Sequence, residues 1–367
     1  MSEAPVAHVD LDAIRHNLAR VRSRIGAGTK ILAAVKADGY GHGLVPVSRA
    51  LEAAGVAFFG VATPAEAMAL REAGIRAGVL LLSPLRDAAT IARLVEADVS
   101  LTATDAASLD AYARADAEGR HLLHLKVDTG MGRLGRPWRE TAALAAAIDR
   151  RPDWVLEGVW THFAASDDAD RTYTLGQIEA YRRALDALDA DGLTPPLRHA
   201  ANSAAIVAYP EAEFDMVRPG ICLYGYHSSD VVAALEPGLR PAMRLAAPVT
   251  FVKRVEAGTS VSYGNLWRAP GATTVATVRI GYADGYARSL SGRAWVSVQG
   301  ERRPVVGRVC MDQIMVDVGE IDVAPGDEVT LWGPPGPDAE SLAHAIGTVS
   351  YELLTGVGTR VERTYSG

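Results

Sequence analysis

Cysteine is almost missing from this chain. Two residues in 367, Cys222 and Cys310, form neither a CxxC pair nor a disulfide framework, and a reducing cytoplasm is the expected setting. No apolar run is long enough to span a membrane, and Met1 to Asp10 has no basic stretch followed by an apolar one, so membrane insertion and secretion are not expected. The formal net charge is −7 and no basic stripe is visible, which argues against a nucleic-acid partner. No GxGxxG follows the first apolar run, there is no P-loop, and no grouping of His, Cys and Asp has the spacing of a metal site. What remains is 49% hydrophobic and 22% charged, ordinary for a globular protein, and the length suggests about two domains.

After a short N-terminal arm (residues 1–9), Leu11, Ile14, Leu18, Val21 and Ile25 recur with a helical period. Eight apolar runs then read as buried strands: Ile31–Ala37, Ala57–Ala62, Gly78–Ser83, Val99–Ala103, Leu122–Val127, Leu156–His162, Arg198–Ala201 and Met216–Tyr224. Segments rich in alanine and leucine separate them, and Thr63–Glu66 and Thr104 look like helix starts. Eight strands alternating with helices over roughly 200 residues is the count of a (β/α)8 barrel, here placed at residues 10–238. From Arg240 onward the runs are short, rich in valine and broken by Gly and Pro turns: Leu245–Val255, Thr273–Ile280, Ala294–Val298, Val305–Cys310, Ile314–Val318 and Glu328–Trp332. Residues 239–367 therefore read as a mainly β domain.

In a barrel the chemistry sits at the carboxyl ends of the strands. There the sequence puts Lys36 and Tyr40 after the first strand, Lys126 and Arg133 at the fifth, His162 after the sixth, His199, Asn202 and Ser203 at the seventh, and Arg218, Gly220 and Ile221 at the eighth. A lysine that leaves a buried strand for a glycine-rich loop can lose its proton and attack a carbonyl. Loops after the seventh and eighth strands often hold phosphate on backbone amides. A Schiff-base lysine together with a phosphate cradle suggests pyridoxal phosphate, PLP. Each residue taken alone has an ordinary structural reading: a lysine snorkelling at a strand end, a core histidine, a serine opening a helix.

The segments Ala34–Gly43, Lys126–Gly135, His199–Ser203, Arg218–Ile221, Val261–Gly264, Gly281–Gly285 and Gly307–Asp312 resemble, in order and across both domains, those of the alanine racemase family. The resemblance implies that Lys36 holds PLP as a Schiff base, that Tyr40, Ser203, Gly220, Ile221 and Tyr351 surround its phosphate, and that Arg218 faces its ring nitrogen with His162 nearby. An arginine does not readily give up its proton, so that nitrogen stays unprotonated and simple proton removal and return is favoured over transamination. Two bases acting on opposite faces of Cα is the direct route to racemisation. By resemblance these are Lys36 for the D-side proton and Tyr263 for the L-side proton. A free tyrosine titrates at about 10, so cationic neighbours have to assist it.

The resemblance also implies that Arg133, beside the Met311 backbone, binds the substrate carboxylate. Lys126 is either carbamylated or an unmodified structural lysine. Tyr282 and Tyr351 narrow the entrance, and His199, Asn202 and Asp312 support the site. It further implies a homodimer in which Tyr263 is donated across the interface, and interconversion of L- and D-alanine to supply peptidoglycan. The alternatives are a racemase of another small amino acid such as serine, and a non-catalytic PLP-binding protein. Such carriers resemble only the first domain.

Overall fold

The eight apolar runs of the first two thirds of the chain become parallel strands that close on themselves. In the computed structural model, which describes residues 3–367, the barrel strands are Lys30–Ala34, Phe58–Val61, Gly78–Leu81, Val99–Ala103, His121–Asp128, Trp154–Trp160, Leu197–Asn202 and Met216–Arg218. Each pairs in parallel with the next. Met216 pairs with Lys30 of the first strand, which completes the ring. All five residues of the fourth strand are buried, as both faces of a barrel strand are covered. Leu32, Leu80, Leu197 and Met216 pack together from four different strands.

Two barrel strands end earlier than the apolar pattern suggests. The first stops at Ala34, because the backbone from Ala37 onward turns left-handed. The eighth stops at Arg218, because Pro219 offers no N–H to a ladder, and Ile221–Tyr224 is a 3-10 turn. Thr63 caps the helix Pro64–Glu72 in a reciprocal capping box with Glu66. At the other expected helix start the cap is Asp105 rather than Thr104. The extended Asp105 backbone lets its carboxylate accept from Ser108 N at 2.7 Å.

Two compact units share the chain. The larger comprises Ile14–Gly39 and Leu44–Arg240, and the smaller comprises the residues up to Ala13, Tyr40–Gly43 and Pro241–Gly367. In the smaller unit six antiparallel strands close a second ring. Met243–Val255 pairs with Thr273–Val278, then come Ile314–Gly319, Glu301–Val306, Trp295–Val298 and Glu328–Trp332, which returns to the first. The expected strand Val305–Cys310 lies instead at Glu301–Val306. Exposed Glu301 and Arg302 hide its start, and Gly307, at φ +68°, ends it.

Val6–Asp10, from the expected N-terminal arm, is a strand of this unit. It runs antiparallel to Met243–Val255 and parallel to Glu362–Ser366. Met1 and Ser2 of that arm lie outside the described residues. Among the described residues no helix is long and apolar enough to cross a membrane.

Candidate active site

The carboxyl ends of the barrel strands gather positive charge around one buried guanidinium. Arg218 is 6% exposed, and its Nη2 donates to Thr161 O at 2.7 Å and Ala200 O at 2.8 Å. Its Nη1 lies 3.2 Å from His199 Nδ1 and its Nη2 lies 3.3 Å from His162 Nδ1. A guanidinium only donates, so both imidazole nitrogens accept. Burial, reinforced by the Arg218 charge, holds His162 and His199 well below the usual histidine range, so both rings are neutral at pH 7. Burial also brings Arg218 down to about 10, which still leaves it charged at neutral pH.

Lys36 and Lys126 share this environment. Burial and then the Arg133 charge lower the Lys36 amine, with Glu66 opposing them. Burial, with Arg218 and Arg133 adding to it and Asp128 opposing, brings Lys126 down to about 7. Its Nζ donates to Val127 O at 2.6 Å and lies 5.1 Å from the Trp160 ring centre.

Lys36 is presented by strained backbone. Ala37, Asp38 and Tyr40, none of them glycine, have φ of 53°, 54° and 52°, and Gly39 has 60°. A left-handed turn costs about 1–2 kcal/mol per non-glycine residue, so its surroundings must enforce it. Gly39 N donates to Val35 O at 2.8 Å and Leu44 N to Asp38 Oδ1 at 2.8 Å. Glu66 accepts from Ala37 N at 2.6 Å, Ala62 N at 2.9 Å and Thr63 N at 3.1 Å, which ties the Lys36 turn to the end of the second strand.

The loops after the seventh and eighth strands are joined at one hydrogen bond, Gly220 N to Ser203 Oγ at 2.8 Å. Asn202 caps the helix Ser203–Ala208 by accepting from Ala205 N at 3.0 Å, and it also accepts from Ser166 Oγ at 2.9 Å. The Ile221–Tyr224 turn has no side-chain cap. Two helical starts side by side, one of them uncapped, offer amides and a serine hydroxyl to an anion.

The other expected residues belong to the smaller unit. The rings of Tyr40 and Tyr351 lie 6.0 Å apart. A Cβ on Gly41 would come within 2.0 Å of Leu354 O, so the glycine there is a packing requirement. Tyr263 projects from a tight turn and is 70% exposed. Ser262 has φ +69° and its Oγ donates to Arg308 O at 2.7 Å. Tyr282 N donates to Cys310 O and Ala283 N to Met311 O, both at 3.0 Å. Arg360 joins Asp312 at 2.8 Å to buried Asp284 at 3.0 Å, which fixes the segment after Met311. Lys36, Lys126, Arg133, His162 and Arg218 thus converge in one unit, while Tyr263, Tyr282, Met311 and Asp312 stand in the other.

Residues 9–228 match the family model for the alanine racemase N-terminal domain, and residues 242–365 match that for the C-terminal domain. The chain belongs to the alanine racemase family. A relative from Desulforamulus reducens named alanine racemase is 44% identical over the full length of both chains, and one from Thermobifida fusca is 43% identical over 100% of this chain and 99% of its own. The solved alanine racemase of Streptomyces lavendulae superimposes with a TM-score of 0.94 at 39% identity, covering 100% of this chain and 98% of that one. The Bacillus anthracis alanine racemase, solved with bound L-Ala-P, also gives 0.94, at 36% identity, over 100% of this chain and 96% of that one.

Within this alanine racemase fold, sequence reading passes over Glu66 and Arg360 among others. Glu66 registers only as part of a helix start, although a capping-box glutamate beside a lysine strand was a visible signal. Arg360 has no local signal, since Asp284 and Asp312 are distant in sequence.

Two predictions test this electrostatic picture. Glu66→Ala removes an acceptor for three backbone N–H groups and a charge that raises the Lys36 pKa. Stability should fall by ~1–3 kcal/mol, and the pH midpoint for amine labelling of Lys36 in the apoenzyme should move down. Lys126 has a folded pKa near 7 and an ordinary unfolded one, so between these values the unfolded chain binds the extra proton and stability rises with pH. In carbonate-free buffer, the Tm of Lys126→Met relative to the parent should be most favourable at pH 6 and decline toward pH 10.

Proposed function

We propose that the chain is a PLP-dependent alanine racemase that interconverts L- and D-alanine by a two-base route, with residues 10–238 as the cofactor-binding barrel and 239–367 as the partner domain. The observation that carries this reading is a lysine at the end of the first strand, where Ala34 N donates to Pro219 O at 2.9 Å next to the Gly220–Ser203 junction, in a chain more than 40% identical to alanine racemases over its whole length. The residues suit the cofactor. The Gly220–Ser203 junction with Ile221 would take the phosphate, the Lys36 amine would take the aldehyde, and Arg218 can only donate to a ring nitrogen; the family resemblance adds Tyr40 and Tyr351 to the phosphate ligands. When bound, PLP withdraws electrons from Cα of the amino acid joined to it and so acidifies the Cα proton.

The protein's own groups then determine the outcome. Lys36 removes or returns the proton on the D side and Tyr263 on the L side. Arg133 would hold the substrate carboxylate, with the Met311 backbone beside it. Lys126, its amine brought down to about 7 by burial, can add carbon dioxide through nitrogen and release a proton, giving an anion that would orient Arg133. His162 and His199, both neutral, let Arg218 keep its charge in the barrel without further repulsion. Tyr282 and Tyr351 would restrict entry to small substrates.

Tyr263 acts on the partner's site in a homodimer. Support comes from the exposure of Tyr263, Leu266, Tyr282 and Met311, all on the smaller unit. The enzyme works in the cytoplasm and supplies D-alanine for peptidoglycan, in keeping with its bacterial relatives.

In heavy water, L-alanine should yield D-alanine carrying deuterium at Cα, followed by chiral chromatography and mass spectrometry. Tyr263→Phe should retain PLP and lose roughly 10²–10⁴-fold in rate. Full activity in both directions would remove the two-base scheme. Mixing refolded Lys36→Ala and Tyr263→Phe subunits tests the exchange directly. If Tyr263 is donated by the partner, each hybrid dimer has one intact site and activity returns. If both bases come from one subunit, the mixture stays inactive.

A further inference from the structure

A line of hydrogen bonds runs through the barrel from Arg218 toward the amino ends of the strands. Its members come from five neighbouring strands: Ser100 on the fourth, His124 on the fifth, Glu157 on the sixth, His199 on the seventh and Arg218 on the eighth. His199 Nε2 lies 2.9 Å from His124 Nδ1, and His124 Nε2 lies 3.0 Å from Glu157 Oε2. Ser100 Oγ donates to the same carboxylate oxygen at 2.5 Å. Both imidazoles are fully buried.

Only one assignment of hydrogens satisfies this line. The Glu157 carboxylate only accepts, so the His124 hydrogen is on Nε2 and its Nδ1 carries a lone pair. That lone pair calls for a hydrogen on His199 Nε2 and leaves the His199 Nδ1 lone pair facing Arg218, which can only donate. An added proton on His124 Nδ1 would face the His199 Nε2 hydrogen. Moving that hydrogen to His199 Nδ1 would in turn set it against Arg218.

We infer that Glu157 is a positioning residue for Arg218: its carboxylate fixes the tautomers of His124 and His199, so that a lone pair meets the buried guanidinium. The local backbone is built for this. The pairing of the fifth and sixth strands slips between Leu123 opposite Leu156 and His124 opposite Gly158, which leaves Glu157 as the extra residue of a β-bulge. Bulges re-aim side chains in this way. A Cβ on Gly158 would lie 2.4 Å from His124 Nδ1, so the glycine leaves the room that the ring occupies. Burial raises the Glu157 carboxyl, but the His124 and Ser100 hydrogen bonds and the Lys30 charge hold it below the usual range, and it is an anion at neutral pH.

The test reads the apoenzyme and does not depend on the racemase reading. Histidine-selective 15N labelling reports each ring tautomer by NMR, with His124 and His199 assigned by substitution. Both should show Nε2–H and an unprotonated Nδ1, and His199, held well below the usual histidine range by burial and the Arg218 charge, should keep its pattern from pH 6 to 8. Glu157→Gln, whose amide oxygen can accept the same bonds, should retain this pattern. Glu157→Leu should lose the single His199 tautomer and shift the Arg218 side-chain N–H signals. In the loaded enzyme, Glu157→Leu should lower kcat more than it changes KM, and Glu157→Gln should rescue most of it. A His199 that carries hydrogen on Nδ1, or is charged, in the parent protein would overturn the inference without any variant. So would a folded Glu157→Leu whose His199 and Arg218 signals match the parent's.

Discussion

A guanidinium that cannot lose its charge is buried inside a closed barrel, and much of the interior is arranged to tolerate it. Removing such a group from water is expensive unless its N–H groups find acceptors. Here the acceptors are two backbone carbonyls and two imidazole nitrogens. Burial, reinforced by the same charge, keeps both histidines neutral and lowers the Lys126 amine. The barrel supplies this arrangement cheaply in one respect. Neighbouring strands place their side chains at similar depths, so Ser100, His124, Glu157, His199 and Arg218 meet without any loop having to order itself.

Backbone strain marks the two residues assigned to proton transfer. Lys36 precedes a left-handed turn containing three non-glycine residues, and Tyr263 follows Ser262 at positive φ. Such conformations persist only where the surroundings over-determine them. Glu66 and Asp38 do so for Lys36, and the Ser262 hydroxyl bound to Arg308 O does so for Tyr263. In both places a short polar side chain grips main-chain groups and so directs a longer side chain next to it.

The barrel strands are legible because burial on both faces leaves continuous apolar runs, as at Phe58–Val61 and Gly78–Leu81. Legibility failed where that signal is weak. Val6–Asp10 and Glu362–Ser366 are short and partly exposed. They become strands only by pairing with each other, with Val6–Asp10 also pairing with Met243–Val255, across more than two hundred residues. The expected strand at Val305–Cys310 misses Glu301–Arg303 because the charged residues there are wholly or partly exposed. The residues of the candidate site were largely visible as motifs, since lysine, arginine and tyrosine next to glycine turns stand out locally. Glu66, Glu157 and Arg360 were not, because each acts on groups from other segments.

By itself the sequence determined the two-part architecture, the eight-strand count and the identity of the chemical groups, all of which follow from local patterning and residue type. Tertiary structure alone decided their states. The Lys126 amine is brought down to about 7 because the fold buries it beside two arginines. His199 presents a lone pair because Arg218 and His124 meet it from opposite sides. Charge and tautomer depend on the dielectric and the neighbours within a few ångströms, and those neighbours are brought together only when the strands close.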